Sequence, residues 1–127
     1  CEKLNITKYV FFKGFVKNTG YWYKKSGFFI LSSRFEGMPN ALIEAIDFRL
    51  PVIGSNIPGI KFFIKNNNSG KLFENDNENS LVKSINYYIK NKNIRNNFSI
   101  SAYKKLKRIS NLNIFSNGWQ KILNETN

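Results

Sequence analysis

Four short apolar runs, separated by segments with helical periodicity, constrain the fold of this chain more than any other feature of its sequence. The runs are residues 9–12, 28–31, 51–54 and 70–73. Short runs of this kind, with turn-forming Gly or Ser residues nearby, are typical of buried strands. Strands that alternate with helices predict an α/β fold, a Rossmann-like parallel sheet flanked by helices on both faces, with right-handed crossovers.

The helical segments differ in strength. Residues 40–48 form the clearest one, because Leu42, Ile43 and Ile46 make an apolar stripe and Pro39 or Asn40 can open a helix. Shorter helical turns are predicted at residues 21–25 and 61–64. After residue 78 the strand pattern stops, and we predict a helical C-terminal tail with closing helices within about 78–124, at residues 81–89, 94–109 and 113–123.

Length and residue types limit the organisation of the chain. Its 127 residues, 42% of them apolar, suit a single domain over residues 1–127. The chain has one cysteine, Cys1, and no histidine, which excludes a disulfide within the chain and a Cys/His zinc site. Because it begins with Cys1 and not Met, we expect a domain truncated at its N-terminus. The lack of a signal segment or a long apolar run predicts a cytoplasmic protein.

The charge is strongly positive, with 20 Lys and Arg against 8 Asp and Glu, and the excess is greatest after Leu81. Such a surface attracts anionic partners. Two interpretations follow from charge alone: a basic nucleic-acid-binding module, and a domain that binds an anionic membrane surface on its cytoplasmic face. The first requires basic and aromatic residues to share one exposed surface, whereas here the aromatic residues lie in strand-like runs. We therefore expect no nucleic acid.

The segment at residues 32–45 joins the second predicted strand to the helix at 40–48, and it carries the chemistry. Ligands of open α/β sheets collect beyond the carboxyl ends of strands, where helix N-termini attract anions. Gly37 lets a ligand approach the backbone, and Pro39 presets the helix. Glu36 and Glu44 bracket this turn, and a carboxylate is a good acceptor for vicinal hydroxyl groups. These features suit a nucleotide-sugar site.

A series of blocks in this order resembles the C-terminal, donor-binding domain of GT-B-fold, family 4 retaining glycosyltransferases, also called glycosyl transferases group 1. The blocks are the Glu-x7-Glu spacing of Glu36 and Glu44, with the Ser-Ser-Arg-Phe-Glu-Gly-Met-Pro-Asn lead at 32–40, and then Leu-Pro-Val-Ile at 50–53 and Pro-Gly-Ile at 58–60. Further similar blocks lie at residues 11–16, 69–73 and 113–123. The resemblance covers roughly residues 9 to 124.

The resemblance implies a role for each matched residue in binding a UDP- or GDP-sugar donor, with no cofactor and no metal. Glu36 would be the catalytic residue that contacts the donor sugar, and Glu44 would bind the ribose. The sugar and pyrophosphate would lie along Gly37, Met38, Pro39 and Asn40, with Arg34 as a further candidate, and the nucleobase would be bordered by Gly14, Phe15 and Val16. The product would be a surface polysaccharide, lipopolysaccharide or similar glycan, built on a glycan or lipid-linked acceptor.

Two departures from the family pattern affect this implication. Arg49 stands where the family commonly has Gly. The basic residue near the start of the family's domain, which meets the diphosphate, and the N-terminal acceptor domain both lack a counterpart here. We therefore expect the chain to be inactive alone, with Lys13, Lys17 or Arg34 as possible substitutes for that basic residue.

Structural interpretations of the same residues stay open. Glu36 could satisfy free N–H groups at the helix entry, Glu44 could pair with a Lys or Arg on the helix surface, and Arg34 could be a plain surface charge. The aromatic pairs at 11–12 and 28–29 are expected in the core. An epimerase is a further alternative, because Tyr21 and Lys25 have the Tyr-x3-Lys spacing, but the Gly-x-Gly-x-x-Gly loop that it needs is absent.

Overall fold

The structure, a computed structural model, describes residues 1–110 and contains a three-stranded parallel sheet. The strands are β1 (Phe29–Leu31), β2 (Val52–Ser55) and β3 (Lys71–Phe73), in the order β1-β2-β3. Their carboxyl ends lie at the same edge, because Leu31 pairs with Gly54 and Ser55 pairs with Phe73. The prediction of a Rossmann-like parallel sheet is confirmed.

Within these 110 residues, five α-helices follow the predicted alternation. Asn18 caps the first and Asn77 the fourth, each by accepting a hydrogen bond from a backbone N–H with its side-chain oxygen. Asn91 separates the last two. The helices are α1 (Thr19–Lys25), α2 (Asn40–Asp47), α3 (Pro58–Phe63), α4 (Glu78–Lys90) and α5 (Lys92–Ile109). The predicted helix at 113–123 lies outside the described residues.

The core has two parts, one on each face of β2. Val52 points to the part built with α2, α3 and α5, where Leu42 and Ile60 are fully buried. Ile53 points to the other part, where Tyr88 of α4 is fully buried and donates a 2.9 Å hydrogen bond to the Val52 carbonyl. Since successive side chains of a strand face opposite sides, a strand buried on both faces needs this continuous apolar run.

The prediction of a strand at residues 9–12 is wrong. Thr7–Tyr9 is a single 3-10 turn, and the chain after it has no regular structure until α1. Phe11 and Phe12 are 71% and 87% exposed, so they are not core residues. A strand requires hydrogen bonds from a neighbouring strand, and within residues 1–110 β1 pairs only with β2. Phe28 and Phe29, by contrast, pack against the two parts of the core as expected.

Arg49 occupies a backbone conformation that favours glycine. The N–H of Leu50 bonds to the carbonyl of Ala45, and the N–H of Arg49 bonds to that of Ile46, which is the Schellman pattern at a helix end. This pattern needs a left-handed residue, and Arg49 has φ of 55°. Its guanidinium lies 4.6 Å from the centre of the Tyr103 ring, a contact that glycine cannot make.

Candidate functional site

Two serine hydroxyl groups hold the loop that carries Glu36. This loop runs from the carboxyl end of β1 to the start of α2, at residues 32–39. The buried Ser55, at the end of β2, donates a 2.5 Å hydrogen bond to the carbonyl of Ser33. The Ser33 hydroxyl in turn donates a 2.7 Å hydrogen bond to Glu36 Oε1. The position of the Glu36 carboxylate is therefore tied to the sheet.

The same loop packs closely against the first turn of α3. A Cβ atom on Gly59 would lie 2.0 Å from the carbonyl oxygen of Glu36, much closer than two nonbonded atoms can come. Only glycine allows this approach, and Pro58 before it opens the helix with its fixed φ. The sequence indicates Pro58 and Gly59 only through the family resemblance, because their contact with Glu36 is between residues far apart in sequence.

The residues after Glu36 separate into one buried proline and exposed neighbours. Pro39 is fully buried and precedes the first residue of α2, and its carbonyl accepts the N–H groups of Leu42 and Ile43. Gly37, Met38 and Asn40 are exposed beside it. No side chain caps the N-terminus of α2 with a hydrogen bond. The interpretation of Glu36 as a helix cap is therefore wrong, since its carboxylate accepts from Ser33 instead.

Glu44 projects from α2 toward α1. Its Oε2 accepts hydrogen bonds from the Tyr23 hydroxyl at 3.2 Å and from Thr19 Oγ1 at 3.5 Å. Burial raises the pKa of Tyr23 above its ordinary value, and the negative charge of Glu44 and the hydrogen bond to it raise that pKa further. The interpretation of Glu44 as half of a surface ion pair is wrong for the described residues, where the ion pairs are Arg34–Asp76 and Lys107–Asp47.

Arg34 leaves the same loop in another direction. Its Nη2 lies 2.8 Å from Asp76 Oδ1, and its Nε donates a 3.0 Å hydrogen bond to the same oxygen. Both side chains are mostly exposed, so the pair contributes about 1 kcal/mol or less to stability. The pair joins the Glu36 loop to the turn before α4, and it is a surface contact in this structure.

The segment with Gly14, Phe15 and Val16 has two exposed residues and a half-buried Val16, and the preceding Lys13 contacts α1. Gly14 has φ of 58° and open space around it, and Phe15 is 92% exposed. The ammonium of Lys13, the residue before Gly14, lies 4.7 Å from the ring centre of Trp22 in α1. The next residue of α1 is Tyr23, which bonds Glu44. Helix α1 therefore connects the segment predicted to border the nucleobase with the carboxylate predicted to bind the ribose.

Sequence reasoning identified both carboxylates but not the groups that hold them. Ser33 and Ser55 were readable only as small polar residues at strand ends, and Thr19 and Tyr23 belong to a helix that was predicted from weak signals. Their partners lie 3 to 25 residues away in sequence, so only the assembled fold shows the contacts. The sequence signal that could have indicated these groups is a hydroxyl-bearing residue at the carboxyl end of each of two adjacent parallel strands.

Among residues 1–110, no three or more Asp, Glu, Cys or His side chains gather where they could hold a metal ion. None of its helices combines the length and apolar character that crossing a bilayer requires.

Comparison with known proteins places the chain in a family. The family model described as glycosyl transferases group 1 matches residues 1–105. The chain is 34% identical over 116 residues to the Escherichia coli UDP-Gal:alpha-D-GlcNAc-diphosphoundecaprenol alpha-1,3-galactosyltransferase, covering 86% of this chain and 30% of that enzyme. It is 32% identical over 115 residues to a Campylobacter jejuni alpha-1,4-N-acetyl-D-galactosaminyltransferase, covering 90% of this chain and 32% of that enzyme.

Among solved structures, a mutant of S. aureus TarM in complex with fondaparinux, alpha-GlcNAc-glycerol and UDP matches with a TM-score of 0.86 and 25% identity. The match covers 97% of this chain and 25% of that one. The chain spans about a tenth to a third of the length of the curated relatives that it matches. Taken with the parallel sheet and the loop that carries Glu36, these matches show that the chain belongs to the glycosyl transferases group 1 family and has the fold of a GT-B glycosyltransferase C-terminal domain.

Proposed function

We propose that this chain is the donor-binding domain of a retaining glycosyltransferase that uses a nucleotide-sugar, a UDP- or GDP-sugar, to extend a glycan or a lipid-linked acceptor. The family membership supports glycosyl transfer. The Escherichia coli relative is named for a UDP-galactose donor and a diphosphoundecaprenol-linked acceptor, and the TarM structure contains UDP. Both facts concern those proteins, and they support the same chemical class of donor for this chain.

The observation that carries the proposal is the fixed position of two carboxylates on opposite sides of one turn. At the carboxyl edge of the sheet, Glu36 accepts a hydrogen bond from Ser33. On α2, Glu44 accepts one from Tyr23 of α1. Each of these hydrogen bonds engages one oxygen of its carboxylate. A carboxylate has two acceptor oxygens, with about four lone-pair sites in total. Each carboxylate therefore keeps acceptor capacity for ligand hydroxyl groups. A nucleotide-sugar offers vicinal hydroxyl groups on both the sugar and the ribose.

The proposed roles are those that the resemblance implies, and the positions of the two carboxylates are compatible with them. Glu36 would contact the donor sugar near the reacting centre, and Glu44 would accept from the ribose hydroxyl groups. The base would lie over the segment at residues 14–16, and the diphosphate would lie near the start of α2, where the helix dipole favours negative charge. The sugar and diphosphate contacts would come from Gly37, Met38, Pro39 and Asn40, the base contacts from Gly14, Phe15 and Val16, and Arg34 would reach the diphosphate only after leaving Asp76.

Transfer itself would need more than this chain. The relatives and structures that it matches are about three to five times as long as this chain, which supports a further, acceptor-binding domain as a partner. We therefore expect the 127-residue chain to bind donor without transferring the sugar. Bringing the acceptor and donor together is a large part of the work of such enzymes, because correct placement replaces a bimolecular encounter.

The proposal also includes peripheral binding of the domain to an anionic membrane surface. Exposed basic residues lie along α5, among them Lys104, Lys107 and Arg108, and the Escherichia coli and Campylobacter relatives are named for undecaprenol-linked acceptors. Clustered Lys and Arg residues attract anionic lipid, at about 1 kcal/mol for each residue near the surface. A peripheral position on the cytoplasmic face would bring the domain near such an acceptor. Co-sedimentation with vesicles, with and without anionic lipid, tests this part.

Calorimetric titration with UDP and with GDP tests the donor site. We expect one nucleotide to bind, and Glu44→Ala to weaken that binding by about tenfold, or about 1.4 kcal/mol. Glu78→Ala removes an equally exposed carboxylate, on α4, and should leave binding within about twofold of wild type. Binding that ignores Glu44→Ala and falls steeply with salt would favour the basic-surface interpretation instead.

A further inference from the structure

A second cavity lies at the same edge of the sheet as the Glu36 loop but shares no residue with it. It has a volume of about 620 Å³, which falls within the range of small-molecule pockets. Asn56 and Glu74, the residues that follow β2 and β3, line one part of it. The floor is apolar, with Ile64 and Leu72. The donor-site proposal gives this cavity no role.

Three lysines converge on this cavity from two elements of the fold. Lys61 and Lys65 are exposed, one on α3 and the other just after it, and Lys105 reaches the cavity from α5. The Lys105 ammonium donates a hydrogen bond to the carbonyl of Phe62, near the C-terminus of α3, where a positive charge is favourable. An ammonium has three donors, so Lys105 keeps donors for a ligand.

The three positive charges are only partly balanced within the part of the chain that the structure describes, because a single carboxylate, Glu74, lines the cavity with them. The ion pairs among residues 1–110 lie elsewhere, and the carboxylate that lines the cavity, Glu74, accepts a 2.7 Å hydrogen bond from Asn77. Burial lowers the pKa of Lys105, and the nearby charge of Lys65 lowers it further. Like charges held together in a concave surface focus a positive potential, which a bound anion would offset.

We propose that this cavity binds the diphosphate group of a small polyhydroxylated ligand, with Lys61, Lys65 and Lys105 contacting the phosphate oxygens. With Glu74 counted, the lining carries a net charge of about +2, which the two phosphate groups of a diphosphate diester offset with about one negative charge each. Asn56, Glu74 and Ser80 lie across the cavity and supply acceptors for hydroxyl groups next to the diphosphate. The diphosphate can come from a free small molecule or from a lipid head group.

Titration of the full 127-residue chain with pyrophosphate, at constant ionic strength, tests the site. We expect saturable pyrophosphate binding, with this cavity as the tightest site. Lys61→Gln combined with Lys65→Gln should weaken it by about tenfold or more. These two lysines are exposed, and Lys105 is kept because its hydrogen bond joins α5 to α3. Thermal melting of the double variant checks that it folds.

Lys83→Gln combined with Lys92→Gln is the matched control, because it removes two exposed charges from α4 and α5 outside the cavity. This control should leave pyrophosphate binding within about twofold of wild type. The proposal is overturned if the two double variants lose binding equally, since the attraction would then come from net charge. It is also overturned if wild type does not bind pyrophosphate when ionic strength is held constant.

Two further arms identify the source and keep this site separate from the donor site. Vesicles with and without farnesyl diphosphate show whether a lipid head group competes with free pyrophosphate, which separates the lipid source from the soluble one. UDP binding is therefore compared in Glu44→Ala and in the Lys61 and Lys65 double variant. If UDP binding follows Lys61 and Lys65 but not Glu44, the cavity is supported and the donor site fails. If UDP binding follows Glu44 and pyrophosphate binding is unchanged in the lysine double variant, the donor site is supported and the cavity proposal fails.

Discussion

Ser33 donates a 2.7 Å hydrogen bond to Glu36 and, through its carbonyl, accepts one of 2.5 Å from Ser55. The carboxylate proposed to meet the donor sugar is therefore positioned by a chain of two hydroxyl groups that begins at the buried end of β2. Ser33 uses only one carboxylate oxygen, Oε1. We therefore propose that Ser33 is a positioning residue, which affects donor binding through Glu36.

Replacement of Ser33 by Ala tests this positioning role. Without the hydroxyl group, Glu36 loses its fixed orientation, and we expect affinity for a UDP-sugar to fall by about tenfold while affinity for UDP alone stays within about twofold. Calorimetry with UDP-glucose, UDP-galactose, their N-acetyl forms and UDP measures both. Ser26→Ala, which removes a hydroxyl group bonded to the Trp22 carbonyl, is the control. Equal loss for UDP and UDP-sugar would contradict the positioning role.

Gly59→Ala should disturb the Glu36 loop from the opposite side. The added Cβ would lie 2.0 Å from the Glu36 carbonyl, so the loop or α3 must move. Overpacking of this kind costs about 1 to 3 kcal/mol, and we expect urea denaturation to show a loss of that size. Gly27 has open space around its Cβ position, and Gly27→Ala should change stability by less than about 1 kcal/mol. Wild-type stability of Gly59→Ala would show that this packing is wrong.

Substitutions at Arg49 should reverse the order of alanine and glycine that holds inside a helix, where alanine is the more stabilising residue. Both Arg49→Ala and Arg49→Gly lose the contact with Tyr103, so their difference isolates the cost of the left-handed backbone. That cost is about 1 kcal/mol for a residue with a Cβ, and glycine avoids it. We expect Arg49→Gly to be more stable than Arg49→Ala by about that amount in urea denaturation. A more stable alanine variant would mean that Arg49 does not have positive φ.

The alkaline stability of the fold should depend on Tyr88. Burial raises the pKa of Tyr88 well above its ordinary value of 10.0. Below pH 10.0 the tyrosine is neutral in both states, and its stabilising effect is complete. Above that pH the unfolded state loses the proton while the folded state keeps it, so stability falls by about 1.4 kcal/mol per pH unit.

Tyr88→Phe removes this dependence, together with the hydrogen bond to Val52. At neutral pH the variant should be less stable than wild type by about 1 to 3 kcal/mol, because a buried carbonyl loses its partner. Near pH 11 the difference should shrink by about 1 kcal/mol. Urea denaturation at both pH values measures it. A difference that does not change with pH would show that Tyr88 ionises equally in both states.

Much of the fold was predictable because the local signals agree with each other. The strands near residues 28–31, 51–54 and 70–73 and the helix at 40–48 all combine an apolar pattern with turn residues at their ends, and the structure has them within about one residue. The failure at residues 9–12 has a different origin. An aromatic run has strand character, but a strand forms only where another strand offers hydrogen bonds, and the sequence does not show which neighbours are present.

The site was predictable in part for a similar reason. Glu36 and Glu44 belong to one continuous segment with a recognisable spacing, so the resemblance found them. Tyr23 and Ser55 lie in other elements, and their hydrogen bonds to this segment depend on how α1 and β2 pack. The close approach of Gly59 to Glu36 is of the same kind. Pairwise contacts between elements are therefore what the structure adds.

The most direct test of the donor site is to map UDP onto the nitrogen-15-labelled chain by chemical-shift perturbation. We expect the largest changes in the backbone of residues 36–40, in Gly14 and its neighbours, and around Glu44, and we expect Glu44→Ala to need about tenfold more UDP for the same changes. Residues of the cavity lined by Lys61, Lys65 and Lys105 should show chemical-shift changes with UDP only if pyrophosphate also changes their shifts. Changes confined to that cavity, or spread evenly over the basic surface of α5, would contradict donor binding at Glu36 and Glu44.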